Sequence, residues 1–258
     1  MDESVKFIAI VPAAGVGKRM GANCPKQYLT IHDKTILDYT VTVLLSHASI
    51  DKVIISLDED DQYFAQSSFL NHPNIIRVCG GKERVDSVLS GLKAVDEKQY
   101  PWVLVHDAAR PCISHHDIRQ LIAQCLTHHC GGILATPVRD TMKRACITPN
   151  TDKLTLNVIK NVDLPEHAFI DKTVERNQLW HALTPQMYKT NELTRAIEKG
   201  LANHLIITDE SSAIEQENLP SLIVSGSSEN IKITHPDDLL LAEFYLNKRA
   251  STLLNKEL

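Results

Sequence analysis

Short apolar runs alternate along this chain with stretches in which apolar residues recur every three or four positions. Residues 6–11 (KFIAIV), 52–57 (KVIISL), 75–78 (IIRV), 102–106 (WVLVH) and 131–135 (GGILA) read as strands. Between them, Ile36, Leu37, Tyr39, Thr40, Val43 and Leu44 fall on one helical face. So do Val85, Val88, Leu89, Leu92 and Val95, and again Ile118, Leu121, Ile122 and Leu126. Strands that are apolar on both faces and alternate with amphipathic helices predict an α/β fold: a mostly parallel, twisted sheet with helices on both faces. In such sheets ligands bind beyond the carboxyl ends of the strands. Three loops therefore converge: 12–26, 80–87 and 107–111.

The rhythm breaks between Arg139 and Arg176. Polar and apolar residues alternate there, as in 154–158 (LTLNV). The segment reads as a protruding β-arm at about 139–176 on a single domain spanning 1–258. Such an arm cannot bury its apolar face alone and calls for a partner subunit. Regular structure returns with helices near 190–200 and 210–217, strands near 221–225 and 230–233, and a last helix over 236–248. Asp237 and Asp238 suit the first turn of that helix, where the dipole favours acids.

Composition narrows the function. The 258 residues are 43% hydrophobic and 23% charged, enough for a full core. The net charge of −5 argues against a general nucleic-acid binder but leaves room for a local basic pocket. The apolar stretch from Phe7 to Val16 is too short to cross a bilayer and lacks a charged leader, so a cytoplasmic location without membrane attachment is expected. None of the six cysteines forms a C-x-x-C pair or a zinc spacing, which predicts reduced, mostly buried thiols. The doublets His115-His116 and His128-His129 are read as surface residues, because adjacent helical positions point about 100° apart.

Each converging loop carries candidate chemistry. Residues 12–21 (PAAGVGKRMG) follow a strand and let backbone N–H groups approach an anion. Both a dinucleotide fingerprint and a P-loop would need glycine at Met20, so the loop is of a third kind. Three cations surround it: Lys18, Arg19 and Lys26. In the second loop, Gly80-Gly81 permits close approach of a flat ligand, and Arg84 and Ser87 can donate to a base or a phosphate. The same residues also fit an ordinary strand-to-helix turn. In the third, Asp107 at a strand end suits Mg²⁺, which takes one or two carboxylates plus substrate phosphates. Asp107 equally fits a cap. Arg110 can pair with a phosphate. Lys232 and Arg176 add cations that in isolation read as structural.

These motifs, in order, closely resemble the 2-C-methyl-D-erythritol 4-phosphate cytidylyltransferase family. The match takes in Pro12 to Met20, Pro25-Lys26-Gln27, Gly80 to Ser87, Val105 to Pro111, Pro137 to Thr141, Arg176 with Leu179 to Gln186, Thr208 to Ala213, and Asn230 to Thr234. The resemblance implies a Rossmann-like nucleotidyltransferase fold and a homodimer with exchanged arms. It also implies Mg²⁺ or another divalent metal, held at Asp107, and transfer of a cytidylyl group from CTP to a small polyol phosphate in isoprenoid precursor synthesis. It assigns transition-state stabilisation to Arg19 and Lys26. Nucleotide contacts fall to Ala13, Ala14, Gly15, Gly17, Gly80, Gly81, Arg84, Ser87 and Asp107. The sugar-phosphate pocket falls to Arg110, Thr141, Thr184, Lys232 and Arg176, the last reaching across from the partner's arm.

The stretch between Thr141 and Arg176 is longer than the resemblance leads one to expect. Two alternatives compete with the implied function. A ribitol 5-phosphate cytidylyltransferase would keep the CTP site, since one hydroxyl or methyl is worth only a few kcal/mol of discrimination. An inactive nucleotide-binding module would be expected to lack Arg19, Lys26 or Asp107, and all three are present.

Overall fold

The computed structural model describes residues 6–15, 24–146 and 168–254. They divide into two compact units, residues 1–135 with 182–258, and residues 136–181.

The first unit is built on a seven-stranded sheet. Its strands are β1 (Phe7–Pro12), β4 (Ile50–Leu57), β5 (Ile75–Cys79), β6 (Trp102–Val105), β7 (Gly132–Pro137), β10 (Trp180–Lys189) and β11 (Leu222–Ser225). The order across the sheet is β11-β7-β10-β6-β1-β4-β5. The pairs β1–β4, β4–β5, β1–β6 and β7–β11 are parallel, and β10 runs antiparallel to β6. A two-residue hairpin, β2 (Thr30–Ile31) and β3 (Lys34–Thr35), precedes α1.

Alternation along β1 shows why both faces need helices. Phe7, Ala9 and Val11 join one core with Leu37, Val41 and Leu44 of α1 (Ile36–Leu45) and Ile118, Leu121 and Ile122 of α3 (His115–His128). Ile8 and Ile10 join a second core with Val88 and Leu92 of α2 (Arg84–Lys93). Leu193 and Ile197 of α4 (Thr190–Ala202) and Ala213 and Ile214 of α5 (Glu210–Gln216) complete it. A strand with period two buries both sets only between two helical layers. Local signals start the helices: Thr35 and Asp38 cap α1 reciprocally, and Ser114 accepts from the Asp117 N–H at the start of α3.

Two features depart from the sequence pattern. β10 is a strand although Pro185 interrupts it, and proline normally marks an edge or a break. It is tolerated since the β6 ladder begins one residue later, pairing Gln186–Lys189 with Val105–Trp102. Conversely, residues 230–233 form no strand. Their backbone bonds are local or go to other loops: Ile231 N–H donates to Glu229 O and Ile233 N–H to Ala109 O. Buried Ile233 joins Ile31, Ile36, Ala109 and Ala242 in a small third core beneath α6 (Pro236–Leu254).

The smaller unit contains β8 (Met142–Cys146) paired antiparallel with β9 (Phe169–Val174). The 154–158 run lies outside the described residues. Phe169, Ile170, Leu179 and Trp180 are exposed. All six cysteines are free, with Cys112, Cys125 and Cys146 buried, Cys24 and Cys130 half-buried, and Cys79 exposed. His116, His128 and His129 are exposed as expected. His115 is half-buried, because its ring packs against His47 and its Nε2 reaches Val43 O and Ser46 Oγ.

Candidate active site

β1 is the point where chain order reverses: β4 and β5 lie to one side and β6 to the other. The crevice beyond the carboxyl ends of β1 and β6 is where such a sheet offers a ligand site. A cavity of about 160 Å³ opens there, walled by Pro12 to Gly15, Lys26, Gln27, Gly81 to Arg84, Ser87, Asp107 to Ala109, and Lys232.

The walls are held by directed bonds. Gln27 Nε2 donates to Ala13 O at 2.6 Å, and Ala13 N–H donates to Ser56 O. Ser87, fully buried, accepts from the Gly81 N–H at 3.1 Å. A Cβ on Gly80 would stand 2.5 Å from Ala14 Cβ, so only glycine lets the first two loops touch. Gly80 packs behind the cavity wall in this way.

Asp107 is the electrostatic centre. Its Oδ1 lies 2.9 Å from Arg84 Nε, and its Oδ2 lies 2.8 Å from Lys232 Nζ and 3.5 Å from Arg110 Nε. Burial by itself would raise the carboxyl pKa. Arg84, then Lys232 and Arg110, outweigh burial and hold it well below the usual carboxylate range. Arg84 is also gripped by Glu210, through Nη1–Oε1 at 2.7 Å and Nη2–Oε2 at 3.1 Å. Burial pulls the Arg84 pKa down, and the Glu210 and Asp107 carboxylates more than reverse that.

Behind Asp107 the neutral groups are equally determined. His106 is fully buried, with Nε2 3.1 Å from Arg110 O and Nδ1 2.9 Å from Thr184 Oγ1. A carbonyl can only accept, so Nε2 carries the proton and Nδ1 accepts from the threonine hydroxyl. Thr184 Oγ1 in turn accepts from the Asp107 N–H at 3.1 Å. Burial pushes the His106 pKa down to about 4, so the ring stays neutral.

Segment 230–234 completes the wall. Asn230 donates from Nδ2 to Thr184 O at 2.7 Å, and its own carbonyl accepts from Arg110 Nη1 at 2.7 Å. Lys26 Nζ donates to Ile233 O at 3.2 Å. Lys232 and Lys26 thus share one side of the cavity. A small space with backbone N–H groups, in which Lys26, Lys82, Arg84 and Lys232 are set against Glu83 and Asp107, suits a nucleotide polyphosphate.

A model of the family described as 2-C-methyl-D-erythritol 4-phosphate cytidylyltransferase matches residues 7–248. The chain belongs to that family. A Colwellia psychrerythraea protein with the family's name is 65% identical over 251 residues, 97% of this chain and 99% of that one. A Vibrio vulnificus namesake is 52% identical over 244 residues, covering 94% and 95%. The crystal structure of the Francisella tularensis 2-C-methyl-D-erythritol 4-phosphate cytidylyltransferase superposes with a TM-score of 0.75 at 33% identity, covering 93% of this chain and 99% of that one.

Within this cytidylyltransferase, the cavity brings together Ala13, Ala14, Gly15, Lys26, Gly81, Arg84, Ser87, Asp107 and Lys232 of the residues expected from the sequence. Arg110 and Thr184 are buried and stand outside its lining, bracing Asp107 from behind. Gly17 and Arg19 lie outside the described residues. Thr141 and Arg176 belong to the smaller unit, where Arg176 Nη1 donates to Arg139 O. Sequence reasoning missed Gln27 as a brace, His106 as a neutral strut, and Glu210. A buried acid inside the Thr208 to Ala213 motif was the available signal for Glu210.

Proposed function

We infer that this protein transfers the cytidylyl group of CTP to 2-C-methyl-D-erythritol 4-phosphate, forming 4-diphosphocytidyl-2-C-methyl-D-erythritol and releasing pyrophosphate. The observation that carries this reading is the family match over residues 7–248, whose motifs frame the cavity beyond β1 and β6.

In the reaction a phosphate oxygen of the polyol phosphate bonds to the α-phosphorus of CTP, and the bond from that phosphorus to the pyrophosphate oxygen breaks. A phosphate monoester with its second pKa near about 6 is largely dianionic at neutral pH, so no strong general base is needed. The barrier is charge: two unit charges at 4 Å cost about 4 kcal/mol at an effective dielectric near 20. Lys26 and Arg19 are assigned to the charge that develops on the transferring group and on the departing pyrophosphate. Lys232 is assigned to the incoming phosphate and the nucleotide together, and the backbone of residues 13–15 and 81 to the base and ribose.

Asp107 offers one carboxylate, and among the described residues no three His, Cys, Asp or Glu side chains cluster as a metal site. That donor set fits Mg²⁺ arriving with nucleotide phosphates rather than an independently bound ion. Bound there, a divalent ion would neutralise triphosphate charge. Arg176 and Thr141 are assigned to the polyol phosphate, with Arg176 supplied by the second subunit of a homodimer with exchanged arms. The exposed Phe169, Ile170, Leu179 and Trp180 support that assembly, since a lone two-stranded ladder is marginal in water. No helix among the described residues is long and apolar enough to cross a membrane, and a cytoplasmic location is part of the proposal.

The test is pyrophosphate release from purified protein with Mg²⁺ and CTP, comparing methylerythritol phosphate with ribitol 5-phosphate. Release with the first and not the second is expected. Release with ribitol phosphate instead would keep the cytidylyl site and overturn the substrate, and release with neither would overturn the activity.

A further inference from the structure

Arg84 lines the cavity, yet its hydrogen-bonding capacity is largely spent. Nε donates to Asp107 Oδ1, and Nη1 and Nη2 donate to the two oxygens of Glu210. A guanidinium is a planar fork, so a bidentate carboxylate fixes the orientation of its plane. Once the plane is fixed, the Nε–H direction is fixed, and with it the Asp107 oxygen that it meets.

Glu210 is built to hold still. It is 2% exposed and opens α5. Its neighbour Asp209 accepts from Gln186 Nε2 at 2.8 Å, and Gln186 Oε1 accepts from the Ser211 N–H at 2.9 Å. The start of α5 is thereby tied to β10, the strand that also presents Thr184 to Asp107.

Charge gives the second half of the argument. Arg84, Arg110 and Lys232 face Asp107 and Glu210, three cations against two carboxylates. Without Glu210, Arg84 would become a further mobile cation in a wall that must receive a polyphosphate, competing with Lys26 and Lys232 for its oxygens.

We propose that Glu210 is a positioning residue: by clamping Arg84 it aims Asp107 into the cavity and withholds the guanidinium from nucleotide phosphates. The proposal rests on the cytidylyltransferase reading above, and Arg84 becomes a strut in place of the nucleotide donor that its sequence context suggested.

The experiment compares wild type, Glu210→Gln, Arg84→Met and the double variant, each checked for folding by circular dichroism. Glu210→Gln is expected to lower kcat by about 10–100-fold, the scale of a small misplacement of a catalytic group. It is also expected to bind pyrophosphate more tightly in calorimetry, because the freed Arg84 adds a cation; a purely structural role would not tighten anion binding. In the Arg84→Met background the second substitution should cause no further loss, since the residue it acts through is gone. Unchanged kcat, unchanged or weaker pyrophosphate binding, or losses that multiply in the double variant would each overturn the proposal. Wild-type turnover tests the cytidylyltransferase reading separately. Without turnover the pyrophosphate titrations still decide: tightening in Glu210→Gln that disappears in the double variant supports the clamp, and its absence refutes it.

Discussion

Lys232 Nζ stands 2.8 Å from Asp107 Oδ2, joining the loop before α6 to the loop after β6. The lysine is 41% exposed and the carboxylate 9%. Lys232 is therefore the partner free to turn toward a substrate phosphate, while Asp107 keeps Arg84 and Arg110. Removing it with Lys232→Ala should lower kcat/KM by roughly 10²–10³-fold, the range for a donor aimed at developing charge. Steady-state pyrophosphate release checks this; a variant as fast as wild type would remove Lys232 from the machinery.

Asp107→Asn should abolish most activity and also destabilise the fold, because Arg84 and Arg110 lose a buried counter-charge. Breaking a buried pair typically costs 3–5 kcal/mol, and Lys232 can turn to water, so about 2–4 kcal/mol is expected. Urea denaturation measures it. An unchanged midpoint would mean that the cations are compensated elsewhere.

Gly81→Ala should weaken CTP binding about tenfold, or ~1.4 kcal/mol. A Cβ there would sit 2.2 Å from Asp86 Cβ and 3.2 Å from its backbone carbon, so the loop must move out of the cavity wall. Calorimetric titration with CTP decides, and wild-type affinity would show that the loop absorbs the methyl without shifting.

Stability should fall on acidification below about pH 6.5. Burial, with the nearby His115 and Arg119 charges adding to it, holds His47 down to about 4, and burial does the same for His106 against opposing hydrogen bonds and Asp107. Above the unfolded value neither state is protonated and these groups add no slope. Between about 6.5 and 4 the unfolded chain binds protons that the native state refuses, so unfolding is favoured by up to about 1.4 kcal/mol per pH unit for each histidine. Urea midpoints at pH 7.5, 6 and 5 should trace this, and His47→Gln should flatten the slope. A slope that His47→Gln leaves unaltered would contradict the assignment.

Arg176→Ala should raise KM for the polyol phosphate more than it lowers kcat, since the residue is assigned to binding. If arms are exchanged, mixing Arg176→Ala subunits with Lys26→Ala subunits regenerates some intact sites. No activity in the mixed dimers would place both residues of each site on one chain.

Much of the ligand end was legible from local pattern. The runs at 6–11, 52–57 and 102–106 are apolar without alternation, which only a sheet covered on both faces requires, and the ends of such strands collect the loops carrying Lys26, Gly81 and Asp107. β10 was not legible, because Pro185 has no N–H to give a ladder, and nothing local shows that the neighbouring strand needs none there. The segment around Lys232 misled in the opposite sense. Ile231, Ile233 and the residues between alternate like a strand, but Ile233 alternates into the third core beneath α6 and takes its backbone partner from Ala109.

The sequence by itself determined most of the element types, the end of the sheet that would carry chemistry, the family, and the excess of cations near the first loop. These follow from periodicity and from residues adjacent along the chain. The tertiary structure decided which partner each cation meets. Arg84 and Arg110 look as available as Lys26 and Lys232 in the sequence. Arg84 is claimed by Glu210 and Asp107, and Arg110 by Asn230 O. The reason is that a side chain's charge is local whereas its partner is set by packing, and the carboxylate that neutralises Arg84 reaches it from α5, beyond the whole of the arm.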